Sequence, residues 1–189
     1  MIIYLIAAVT IAFIAKRYAT GSDLFFMPAA VLGIIAFYRT LGDPIREDTS
    51  REFFLLIPAK NYSKIMYSLL GCLTVNAIDL FVPMLIAGII LGTNPLNIIV
   101  WLLFLLSISF FATNVGTFIA LSIPGESAKT LKVIIQMLFM YFGLGPSAVC
   151  VIAGVMLGQL IPALAIGLVI NFITGFLVSL LLPLFLGRK

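Results

Sequence analysis

One carboxylate stands alone in a long apolar run: Asp79 is the sole charged residue between Ile65 and Gly125. It lies about midway between Lys64 and Gly92, near the middle of a stretch long enough to cross a bilayer. An ionisable group at that depth is costly to place, and it does one of three things. It carries a proton or ion, lines a polar path, or fastens helices together by hydrogen bonds, and residue types alone leave all three open. Asn76 precedes Asp79 by three residues on the same helical face, and Asn171 lies near the middle of another apolar run, so both amides are candidate partners of the acid. No lysine or arginine lies within the apolar runs. The sequence therefore predicts an acid with no counter-ion in this chain, kept uncharged by desolvation. Pro83, four residues further on, has no amide proton for the Asp79 carbonyl and predicts a bend beside the acid.

Other chemistry is thinly supplied. The chain contains no histidine, which removes imidazole as general base, metal ligand or switch near neutral pH. A single buried acid with no second acid or nucleophile beside it builds no catalytic site, and no metal-ligand cluster is visible, so neither catalytic nor metal residues are assigned. Gly125-Glu126-Ser127-Ala128-Lys129-Thr130 ends in Lys-Thr but lacks the glycine spacing of a phosphate-cradling loop. It reads as a short turn between helices. Cys72 and Cys150 both fall in apolar stretches, where a thiol behaves as a small hydrophobe.

The elements that must position Asp79 follow from composition. Of 189 residues, 63% are apolar and 10% charged, and the mean hydropathy is +1.26. So few polar side chains cannot coat a globule in water, and the chain reads as an all-α, polytopic transmembrane bundle. Apolar stretches at 2–15, 24–38, 65–92, 97–121, 133–156 and 160–186 predict about six spans in one domain over 1–189. Gly92-Thr93-Asn94-Pro95 marks the turn between spans three and four, and Gly158, Gln159 and Pro162 mark one between spans five and six. The first two stretches run only about 15 residues without a charge, short of a full crossing, and read as two spans or a short hairpin. The run from Met1 has neither a basic lead nor a small-residue cleavage site, so it is read as a first span and not a cleaved signal.

The pI near 9.2 comes from basic residues scattered at the ends of apolar runs. That pattern orients a protein in a membrane and leaves no nucleic-acid footprint. With 39–64 inside, Arg39, Arg46, Arg51, Lys60, Lys64, Lys129, Lys132, Arg188 and Lys189 are all cytoplasmic, and only Lys16 and Arg17 lie outside. Both termini then face the cytoplasm.

The 39–64 segment has an internal order. Asp43-Pro44 suits a helix start, and Thr49-Ser50-Arg51-Glu52 forms a capping box just before the apolar run Phe53 to Ile57. Pro58 should stop or kink that helix, after which Asn61 or Ser63 can cap the third span. The residues read equally as an amphipathic helix lying in the headgroups and as a knob offered to a cytoplasmic partner.

The charged stretch, the Phe-Phe-Leu-Leu-Ile pentad, Pro58-Ala59, and then Lys60 and Lys64 leading into a long span resemble the loop between spans two and three of type-2 ABC exporter permeases. More narrowly, residues 39 to 189 are similar to a bacterial family of ABC exporters. The resemblance implies a permease in a bacterial plasma membrane. Its loop would be a coupling helix seated in a separate ATPase subunit, through Glu47, Glu52, Phe53, Phe54, Leu55, Leu56 and Pro58. It implies no cofactor in this chain, with ATP and Mg in the ATPase, and pairing with a like or different permease half. Such permeases carry an amphipathic lead before span one, which this sequence lacks, so the chain also reads as one half of a larger or split permease. The competing reading is an ion- or proton-coupled secondary transporter or channel that uses Asp79.

Two further expectations concern packing. Gly143-Leu144-Gly145-Pro146 predicts a broken span five, with Ala148 to Gln159 re-entering from outside as short helices. Small residues at Gly88 and Gly92, at Gly154 and Gly158, and at Ala163, Gly167 and Gly175 predict faces where helices approach closely.

Overall fold

A computed structural model describes residues 2–18, 24–40, 58–123 and 129–184, and every regular element among them is helical. Six helices follow in order: α1 (Ile2–Tyr18), α2 (Phe26–Arg39), α3 (Asn61–Leu91), α4 (Pro95–Ser122), α5 (Lys129–Met156) and α6 (Leu160–Leu181), with a 3-10 turn at Leu182–Leu184. Four of them, α3 to α6, are long and apolar enough to cross a membrane. At 1.5 Å per residue, α1 and α2 span about 26 and 21 Å, short of the roughly 30 Å hydrocarbon core.

The short pair forms the hairpin. Tyr4 at the start of α1 lies against the Arg39 guanidinium at the end of α2, so the two run antiparallel. At its other end α1 reaches α3, where Lys16 Nζ donates to the Ile90 carbonyl at 3.0 Å. That carbonyl belongs to the last turn of α3 and has no partner further along the helix, so a lysine caps it.

Both predicted turns close as glycine caps. Gly92 has φ 66° and Gly158 has φ 67°, a left-handed region that a Cβ disfavours. Around Gly92, the Thr93 amide donates to the Gly88 carbonyl at 2.9 Å and the Gly92 amide to the Ile89 carbonyl at 3.2 Å. Around Gly158 the matching bonds are Gln159 to Gly154 at 2.8 Å and Gly158 to Val155 at 3.2 Å. These are Schellman motifs. Asn94 then caps α4 by accepting from the Leu96 amide at 3.0 Å, with Pro95 at the first helical position.

The expected break in span five is absent. α5 runs unbroken from Lys129 to Met156 through Pro146, and Ala148 to Met156 are its last turns and no re-entrant helix. Glycine at 143 leaves room for the Phe111 ring of α4, since a Cβ there would stand 2.0 Å from the ring. Packing of this kind holds α5 against α4 across the proline. α3 likewise continues through Pro83. It starts at Asn61 with Lys60 at the N-cap and no side-chain cap bond, so neither Asn61 nor Ser63 caps it.

Small residues do bring helices together inside this chain. A Cβ on Gly88 would meet Ile98 at 2.2 Å, one on Gly154 would meet Ala163 at 2.2 Å, and one on Gly175 would come within 3.2 Å of the Phe111 Cα. Gly92 and Gly158, from the same spacing pattern, serve the turns instead. α4 is the hub: it packs on α2, α3, α5 and α6 and is the most enclosed of the four long helices.

Candidate functional site

The centre of α4 is polar although the helix is apolar overall. Ser107, Ser109, Thr113, Asn114 and Thr117 are all buried on it. Thr113 and Thr117 return their hydroxyl protons to carbonyls one turn back, Ser109 and Thr113, each at 2.8 Å. Asn114 does the same with the Phe110 carbonyl at 2.8 Å. These bonds satisfy the donors within the helix. Ser107 and Ser109 instead serve neighbours.

Asn76 of α3 donates through Nδ2 to Ser109 Oγ at 2.7 Å. Asn171 of α6 donates through Nδ2 to Ser107 Oγ at 3.2 Å, and Ser107 passes its proton to the Phe104 carbonyl at 2.6 Å. Two serines on one helix thus tie the helices on either side. The amide oxygens Asn171 Oδ1 and Asn114 Oδ1 are buried with no hydrogen-bond partner among the described residues. Asn76 and Asn171 thus each give an amide proton to a serine of α4.

Asp79 is paired elsewhere. The Arg39 guanidinium, at the last residue of α2, donates to the Asp79 carboxylate. This overturns the expectation of an acid without a counter-ion. Arginine carries its charge on a long stem, and a carboxylate in a low-dielectric surround attracts it strongly, so a basic residue at the end of one helix answers an acid inside another. The Asp79 side chain is 14% exposed and that of Arg39 is 44% exposed.

The same end of α2 has a second attachment. Gln136 of α5, itself buried, donates through Nε2 to the Thr40 backbone carbonyl at 3.1 Å. Thr40 also closes the helix on itself, its hydroxyl donating to the Phe37 carbonyl at 2.8 Å. Residues 41–57 follow directly.

Register places these groups at similar depth. α3 and α4 run antiparallel, with Asn76 opposite Ser109 and Gly88 opposite Ile98. Asp79 is therefore about one helical turn from Ser109 towards the α3–α4 turn, close to the level of Ser107 and Asn171. Asn76, Asp79 and Asn171 lie in one layer.

Residues 1–188 match the family model described as "Putative ABC exporter". The chain belongs to this ABC exporter family. With four helices long and apolar enough to cross a membrane, this exporter chain is an integral membrane protein and a transport component. No match was found among curated proteins or solved structures.

Among the residues assigned to the ATPase contact, Pro58 is exposed in a bend just before α3. Glu47, Glu52, Phe53, Phe54, Leu55 and Leu56 lie outside the described residues, as do the capping box at 49–52 and the turn at 124–128. Sequence reasoning missed Arg39, Ser107, Ser109 and Gln136. Ser107 and Ser109 carried a faint signal, two hydroxyls in an otherwise apolar run. Arg39 carried none, because its place at the end of an apolar stretch marks a membrane boundary as readily as an ion pair.

Proposed function

We propose that this chain is the permease subunit of an ATP-driven exporter, moved by a separate ATPase that binds residues 43–58. Membership of the exporter family supports the transport role. The observation that carries the coupling is the attachment of the α2 end to both α3 and α5, through Arg39 with Asp79 and Thr40 with Gln136. The segment assigned to the ATPase runs from that attachment to the first turn of α3. A push on it enters the bundle at two helix ends, and the contact residues are Glu47, Glu52, Phe53, Phe54, Leu55, Leu56 and Pro58. Hydrolysis, with ATP and Mg, belongs to the partner.

In this reading the layer of Asn76, Asp79 and Asn171 lines the path that opens alternately to each side. The exporter works with a second permease half, of the same or a different kind, in a bacterial plasma membrane with both termini in the cytoplasm. Eight basic residues then lie inside and two outside, with Arg39 turned into the bundle at Asp79, a balance that membrane insertion favours.

Phe53→Ala with Phe54→Ala tests the coupling. The double variant should insert and elute normally in detergent while no longer retaining the ATPase subunit on co-purification. Undiminished retention and stimulation of the ATPase would refute the assignment.

A further inference from the structure

α2 rests on the bundle in an unusual way for its length. It is 14 residues long, too short to cross, and it packs more lightly on α3 and α4 than α1 does on α3. Its last residue and the C-cap that follows are nevertheless each bound to a different long helix. Arg39 reaches α3 at Asp79, in the middle of that helix, and the Thr40 carbonyl receives Gln136 of α5 at 3.1 Å. A carbonyl at a helix C-terminus lacks an intrahelical donor, so in a dry surround Gln136 satisfies a group that would otherwise be stranded. The ion pair and the hydrogen bond from the Gln136 amide are chemically independent, and the residues they join are 40 and 96 positions apart.

We propose that Arg39 and Thr40 form a two-point anchor that holds the exit of α2 to α3 through Asp79 and to α5 through Gln136. The three helices then move together when the chain beyond Thr40 is displaced. Arg39, Asp79 and Gln136 are positioning residues in this scheme. The consequence for transport rests on reading residues 43–58 as the ATPase contact, whereas the anchor itself does not.

The test uses the full chain in phosphatidylcholine nanodiscs, with Cys72 and Cys150 replaced by alanine. Spin labels go on the exposed positions Tyr38 of α2, Tyr67 of α3 and Tyr141 of α5. Pulsed electron paramagnetic resonance then reads the 38–67 and 38–141 distance distributions. Asp79→Asn should lose the narrow 38–67 peak and keep the 38–141 peak, and Arg39→Gln should act in the same way. Gln136→Leu should do the reverse. Asp79→Glu, which keeps the charge, should keep both peaks, an outcome that a packing defect would not produce. The anchor is refuted if both peaks stay narrow in Asp79→Asn and Gln136→Leu, or if either variant broadens both together. No ATPase is present in these measurements, so loss of ATPase binding by the Phe53 and Phe54 variant, or its retention, bears on the coupling and leaves the anchor result standing.

Discussion

Asn171 of α6 and Ser107 of α4 hold two parallel helices together at mid-depth by one hydrogen bond of 3.2 Å, while the Asn171 amide oxygen has no hydrogen-bond partner among the described residues. α4 and α6 run in the same direction, with Gly167 against Phe104 and Gly175 against Phe110. Ser107 therefore supplies a polar contact within a seam where glycines of α6 meet phenylalanine rings of α4.

Removing Ser107 should be felt more than its size suggests. Interhelical hydrogen bonds in membranes average about 0.6 kcal/mol, but stranding a buried polar group costs about 1–3 kcal/mol. With Oδ1 already unpartnered, Ser107→Ala leaves the Asn171 side chain without this bond as well, and the larger figure applies. Adding Asn171→Leu removes the stranded amide and should recover most of the loss. Thermal midpoints of the detergent-solubilised protein compare the three forms, and a double variant no better than the single would contradict the argument.

Gly154→Ala should separate α5 from α6. The new Cβ would stand 2.2 Å from the Ala163 Cβ and 3.0 Å from the Gln159 carbonyl oxygen, and neither neighbour has a flexible end to move aside. Overpacking of this kind costs about 1–3 kcal/mol. Ala163→Gly in the same chain should restore part of the stability, leaving the backbone contact at Gln159. Gly145→Ala, with nothing within 4 Å, is the control and should be neutral or stabilising by at most about 1 kcal/mol.

Asp79→Asn should destabilise the bundle although it preserves shape. Breaking a buried ion pair costs about 3–5 kcal/mol. The Arg39 side chain is 44% exposed, so water or headgroups relieve part of that and about 1–2 kcal/mol is expected here. Asp79→Glu should retain most of the stability. Equal melting of Asp79→Asn and the parent protein would mean that the pair contributes nothing.

Cysteine labelling in a background without Cys72 and Cys150 checks the orientation. Thr20→Cys and Asn94→Cys should react with an impermeant maleimide from outside, and Thr49→Cys and Ser127→Cys only from the cytoplasm. Reaction of position 49 from outside would overturn the topology and the ATPase contact together.

By itself, the sequence determined the class of this protein and most of its punctuation. A chain so poor in charge has to lie in a membrane, and backbone groups there have to be satisfied within helices. Gly92, Asn94, Pro95 and Gly158 act through bonds to residues at most five positions away, so local spacing was enough to place both turns. Pro146 misled because its local cost is real, but contacts with α4 outweigh it, and those contacts are not written within a few residues of the proline. Only the tertiary structure decided what Asp79 faces. Asn76 was three residues away and looked like its partner, yet α4 offered Ser109 to the amide and α2 offered Arg39 to the acid. Which charge meets which across 40 residues depends on how α2 crosses α3, and that is set by packing among side chains too alike in hydrophobicity for a pattern to distinguish them.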